Sequence, residues 1–160
     1  MSVTVTRKNP GWIAGVMQRM QKVASNEVAV GFPRGTAQAY PDGTTTTEVA
    51  VINCYGMGVP QRDFMAYGKV LIDRDQTIKK LLSEAAKEGG QERPNPNVIK
   101  SIQEAAGQQA AALIKEAITE GDWVPNSPKT VQAKKSSKPL IDTALMRNAV
   151  TYVVRPKGAL

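Results

Sequence analysis

The stretch from Pro94 to Gly121 constrains this chain more than any other. Asn95 followed by Pro96 is a helix-start signature. Asparagine can accept a hydrogen bond from a free first-turn amide, and proline loses nothing at a position whose N–H has no partner anyway. Ile99, Ile102, Ala106, Ala110, Leu113, Ala117 and Ile118 then recur at helical spacing, with Gly121 just past the end. So much alanine on one face means that whatever packs there must approach closely.

The other elements are arranged around that helix. Asn9-Pro10 begins an N-terminal amphipathic helix with Trp12, Ile13, Val16, Met17, Met20 and Val23 on its apolar face, ending near Ser25-Asn26. Glu27 to Phe32 alternates Val28, Val30 and Phe32 with small Ala29 and Gly31, a strand that Pro33 stops. Residues 34–47, with Gly35, Pro41, Gly43 and four successive threonines, read as a long exposed loop or flexible hairpin. Thr45 and Glu48 have capping-box spacing, so Val49 to Tyr55 reads as a short helix closed by Gly56; a buried strand is the competing reading of this apolar run. Phe64, Tyr67, Leu71, Ile72, Ile78, Leu81, Leu82 and Ala85 mark one long helix ending near Gly89-Gly90. Residues 122–138 form a basic, partly flexible loop rich in Pro, Ser and Lys, followed by a short helical turn at Ala144–Asn148 and a strand from Ala149 to Arg155.

A chain of 160 residues suffices for one domain with a real core. The expected fold is α+β over residues 1–160, a small antiparallel sheet of about three to four strands on two long helices and the N-terminal helix. Histidine is absent and Cys54 is the lone cysteine, which removes disulfides, the usual zinc constellations and the commonest general base. The opening Met1 to Lys8 has no apolar core of a secretory signal, and no apolar run is long enough for a bilayer. Folding in a reducing cytoplasm is the expectation.

Asp73, Asp75, Glu84 and Glu88 could pair for acid–base work, but they alternate with Arg74, Lys79, Lys80 and Lys87 as a solvated face does. The glycine patterns match neither a P-loop nor a dinucleotide fingerprint, and Cys54 in an apolar segment reads as a buried inert thiol. These readings predict a protein that is not an enzyme and binds no cofactor or metal.

Motif order carries a resemblance. Val-Ala-Val-Gly-Phe at 28–32 is followed by Asn53-Cys54-Tyr55-Gly56, by Pro60-Gln61-Arg62-Asp63-Phe64, and finally by Pro139-Leu140-Ile141-Asp142-Thr143 with Tyr152 in the closing strand. In that order they resemble the tail-completion and neck proteins of tailed phages, often called the HK97 tail-component family, over roughly Trp12 to Val154. Two positions depart from the pattern: Asp63 stands in place of a second proline, and Ala144 in place of the glycine that follows Asp-Thr. On residue chemistry alone, Asp142 or Thr143 can cap the short helix and Leu140 and Ile141 can anchor it. Arg62 can reach a carboxylate or a neighbouring subunit, while Phe64 turns inward.

The resemblance implies a ring at the head–tail junction, partnered by other copies of itself and by portal-side and tail-side virion proteins, with double-stranded DNA only in transit and no membrane. The candidate contact residues are Arg34, Gly35, Tyr40, Thr44, Thr45, Arg62, Lys134, Lys135, Lys138 and Arg147. Gly56, Pro60, Phe64, Pro139 to Thr143 and Tyr152 are fold-defining. The formal charge is +7, and from Val124 onward seven cations face Asp142 alone. Such a basic end meets an acidic protein surface or nucleic acid, or only solubilises the chain. A tail-terminator ring and a basic nucleic-acid-binding accessory protein are the alternatives; scarce aromatics leave little for base stacking in the second.

Overall fold

A computed structural model describes residues 10–134 and 137–159. Nine elements follow in order: α1 (Pro10–Ala24), β1 (Asn26–Gly31), α2 (Thr46–Tyr55), α3 (Phe64–Arg74), α4 (Gln76–Gly90), α5 (Pro96–Glu120), α6 (Pro128–Lys134), α7 (Leu145–Ala149) and β2 (Thr151–Pro156). The long helix α5 is the hub. Asn95 caps it by accepting the Asn97 N–H at 3.0 Å, and α3, α4 and both strands pack on it. Its expected face is buried at Ala106, Ala110, Ala117 and Ile118. Ala111 and Ile114 are buried as well, because partners surround the helix on more than one side. At Gly107 the sheet comes closest: a Cβ there would stand 2.5 Å from Tyr152 Cδ2 and 2.9 Å from Val28 Cγ1.

The fold is mixed helix and sheet, but the sheet has two strands among the described residues, not three or four. β1 and β2 run antiparallel, Val28 opposite Val154 and Val30 opposite Tyr152. One face of this pair is covered by α5, and two short strands suffice when a helix of that length closes the core. The core gathers Ala50 and Cys54 of α2, Phe64 of α3, Ala111, Ile114 and Ile118 of α5, and Leu140, Met146 and Val150. The Phe32 ring meets Phe64 edge-on at 6.4 Å.

The capping box forms as read. Glu48 N–H donates to Thr45 Oγ1 at 3.3 Å while Thr45 N–H donates to Glu48 Oε2 at 2.7 Å, and Gly56 closes α2 in the left-handed region at φ 68°. Helix, not strand, is therefore the state of this run.

The single helix expected from Phe64 to Gly90 is two. Asp75 is extended (φ −67°, ψ 121°), ends α3 with its own N–H and starts α4 by accepting the Ile78 N–H at 2.7 Å. Gln109 of α5 donates to its other oxygen at 3.2 Å, which fixes the joint on the hub. The Ile78 amide, then the Gln109 amide, hold the Asp75 carboxyl below its ordinary pKa. A depressed folded pKa gives stability that is present above the unfolded carboxylate range and lost as pH falls through the folded value. Asp75→Asn keeps a capping oxygen without the charge. Wild type is expected to be the more stable at neutral pH, with the difference closing as acid unfolding curves are taken below the carboxylate range.

Three further expectations change. Residues 122–138 are not all loop, since α6 lies within them, begun by Ser127 accepting the Thr130 N–H. Of the two readings of residues 34–47, the hairpin holds over its second half and the wholly exposed loop does not: Tyr40 N–H donates to Thr44 O at 2.8 Å in a tight turn, Ala39 bridges Thr45 antiparallel, and Thr46 is wholly buried. Neither Asp142 nor Thr143 caps the short helix. Its N-cap is Ala144, left-handed at φ 60° and without a side-chain cap bond, so α7 starts one residue later than expected. A Cβ in that conformation clashes with its own carbonyl, so Ala144→Gly is expected to raise stability by about 1 kcal/mol in urea denaturation.

Candidate functional site

The candidate contact residues divide among several places. Arg34 and Gly35 are exposed in the turn after β1. Tyr40 is half-buried, and its ring closes a small cleft of about 220 Å³ lined also by Thr44, Lys134, Leu140, Asp142, Ala144 and Met146. Burial raises the Tyr40 pKa, a backbone bond to Met146 lowers it, and the Asp142 and Asp42 carboxylates push it up again. The 34–47 loop and the Pro139–Thr143 motif, read separately in the sequence, therefore meet here. Thr45 is occupied as a helix cap. Leu140 is buried with a positive φ of 61°, and half-buried Ile141 packs beside it on the core, which makes Pro139–Ile141 an internal anchor while Asp142 and Thr143 stay exposed.

Arg62 is not at the surface and meets no carboxylate among the described residues. It is 5 % exposed and donates from Nε to Val124 O at 2.9 Å, from Nη2 to Pro125 O at 3.3 Å and Asn126 Oδ1 at 3.2 Å, and from Nη1 to Asn53 Oδ1 at 3.4 Å. It clamps the 122–127 segment onto α2, just after the Gly56–Pro60 turn.

The C-terminal cations do not line up as one stripe. Lys134 faces the Tyr40 cleft, Lys138 lies 3.7 Å from Glu120, Arg147 Nε donates to Thr119 Oγ1 of α5 at 2.9 Å, and Arg155 pairs with Glu27 at 2.9 Å. Lys135 lies outside the described residues. Of the carboxylates weighed for acid–base work, Asp73 pairs with Lys69 at 2.5 Å, Asp75 caps α4, and Glu88 accepts the Asn95 N–H at 2.9 Å. The Cys54 thiol is buried, which raises its pKa. Among the described residues no helix is long and apolar enough to cross a membrane.

Two features have no counterpart in the sequence reading. The first is exposed apolar surface. On α1 the face expected to be buried is in part exposed: Trp12 is 47 %, Ile13 57 % and Met17 58 % exposed, while Val16 and Val23 are half-buried and Met20 and Val23 approach the end of α4. On α2 and its closing turn, Val51, Tyr55 and Met57 are likewise exposed, Tyr55 by 75 %. The second is a groove of about 680 Å³ between the end of α1, the start of α5 and the end of β2. Arg19, Lys22, Lys100 and Arg155 rim it, Val23, Ile99 and Val154 give it apolar walls, and Gln103 lines it. Gln103 carried a signal: it is polar on the same helical face as Ile99, Ala106 and Ala110.

The chain matches no known family, no curated protein and no solved structure in comparisons of all three kinds.

Proposed function

We propose that this chain is a non-enzymatic structural subunit of the phage head–tail junction, a neck or tail-completion protein whose copies form a ring joining the connector to the tail and letting DNA pass. The observation that carries the reading is the pair of exposed apolar rows, Trp12–Ile13–Met17 on α1 and Val51–Tyr55–Met57 at α2. Contiguous apolar surface of this kind marks protein contact. A closed ring of identical subunits needs two different surfaces that meet head to tail, and two such rows on separate elements supply them. Portal-side and tail-side virion proteins would cover the remaining faces. The motif order from Asn53-Cys54-Tyr55-Gly56 to Pro139-Leu140-Ile141-Asp142-Thr143 supports the same reading by resemblance.

The test has two arms. Purified tailed particles carrying this gene should contain the chain by mass spectrometry; its absence from particles overturns the reading. For the ring, Trp12→Glu with Met17→Glu breaks one surface, and Tyr55→Glu with Met57→Glu the other. Each double variant alone should stay monomeric by native mass spectrometry, while an equal mixture stops at dimers because only one intact contact remains. Higher oligomers from the mixture would exclude this pair of surfaces as the ring contact.

A further inference from the structure

The groove between α1, α5 and β2 is not explained by a ring contact, and its chemistry stands apart from that reading. We infer that it is a docking site for an acidic, extended peptide segment of a partner protein.

Charge points first to the class of occupant. Four cations rim the groove, and no carboxylate lines it among the described residues. Lys100 has Glu104 at 3.7 Å and Arg155 has Glu27 at 2.9 Å, but Arg19 and Lys22 have no carboxylate partner among those residues. Pro96 and Asn97, the first residues of the long helix α5, stand at the same rim, so the positive end of its dipole adds to the field.

Two unpaired atoms then narrow the class. Gln103 is 5 % exposed and its Oε1 has no hydrogen-bond partner; neither has the buried Nε of Arg19. Both residues line this groove. Buried polar groups are almost always satisfied in a folded protein, because leaving one unpaired forfeits its hydration for nothing. One of these atoms needs a donor and the other an acceptor. A peptide backbone offers N–H and C=O together, acidic side chains answer the rim, and apolar ones suit Val23, Ile99 and Val154. A fatty acid carboxylate gives Gln103 Oε1 no donor at neutral pH, and inorganic phosphate, although its P–OH can donate, gives the apolar walls nothing. Duplex DNA gives the apolar walls nothing. The chain's own first nine residues carry Arg7 and Lys8 and no carboxylate, the wrong charge for this rim.

The test uses the full chain and fluorescence anisotropy. The probe is a fluorescein-labelled pool of nonapeptides in which Glu or Asp alternates with Leu or Val, and its control is the same pool with Lys in place of the acids. Saturable, salt-sensitive binding of the acidic pool alone is expected, weakened about tenfold or more by Lys22→Glu with Lys100→Glu and by Gln103→Met. Gln103→Met also separates binding from folding. A residue held unpaired for a ligand is replaced without loss of thermal stability, whereas one that supports the fold lowers the melting temperature. Should Gln103→Met lower it, the two lysine substitutions, both at exposed positions, decide the matter alone. Equal binding of both pools overturns the inference, as does full affinity in the lysine variant. So does binding of dodecanoate, inorganic phosphate or a duplex oligonucleotide without binding of the acidic pool.

Discussion

Arg62→Met is expected to lower folding stability by about 3 kcal/mol, with the urea midpoint falling and the slope unchanged. The guanidinium is almost wholly buried and donates to two backbone carbonyls and two side-chain amides spread over α2 and the 122–127 segment. Hydrogen bonds from a charged donor are worth roughly 1.5–3 kcal/mol each when measured singly, but bonds from one group share their cost and do not add. Methionine fills the stem and leaves all four acceptors without their donor. Arg62→Lys is expected to recover little, because an ammonium cannot present the planar fork that reaches Val124, Pro125 and Asn126 together. Limited proteolysis gives a second reading: cleavage between residues 122 and 127 should accelerate in both variants before global unfolding. A loss below about 1 kcal/mol would mean that water replaces the guanidinium at these acceptors.

Gly107→Ala should destabilise by about 2–3 kcal/mol, opposite in sign to what helix propensity alone dictates. In an exposed helix the same change gains about 1 kcal/mol. Here the new methyl group would stand within 2.5 Å of the Tyr152 ring and 2.9 Å of Val28, so the two-stranded sheet must lift from α5 or the ring must leave its place. Tyr152→Leu in the same chain removes the nearer obstacle. The double variant is expected to be more stable than the two single losses sum to, a coupling that thermal or urea unfolding reads directly.

Much of the architecture could be read in the sequence, and the reasons it failed elsewhere are local. The Asn95-Pro96 start, the alanine face of α5 and the Thr45/Glu48 box are short-range signals, each set by its own few residues. The break at Asp75 was hidden because Leu71, Ile72 and Ile78 keep an apolar rhythm on both sides of it, and an aspartate inside such a run looks like solvent-facing charge. The reversed backbone at Ala144 left no trace but the missing glycine. In the sequence Arg62 reads as reaching outward, since three of its four partners lie some sixty positions away in a segment of polar, proline-rich composition. For α1, periodicity reported that one face is apolar and was silent on what covers it. The groove around Gln103 is assembled from elements distant in sequence, and only the glutamine on an alanine face hints at it.

The shared joint at Asp75 has a consequence for how the chain tolerates change in length. α3 and α4 meet with a single residue between them, and both rest on α5. Each residue added or removed within the first turn of α4, ahead of Ile78, turns the rest of that helix by about 100° about its own axis. An insertion there would swing buried Ile78 and Ala85 out and bring the Glu84 carboxylate toward α5 in place of Ala85. Insertions at this point should abolish folding, while the exposed turn at Asp42-Gly43 carries no such phase relation. An inserted epitope tag belongs in that turn.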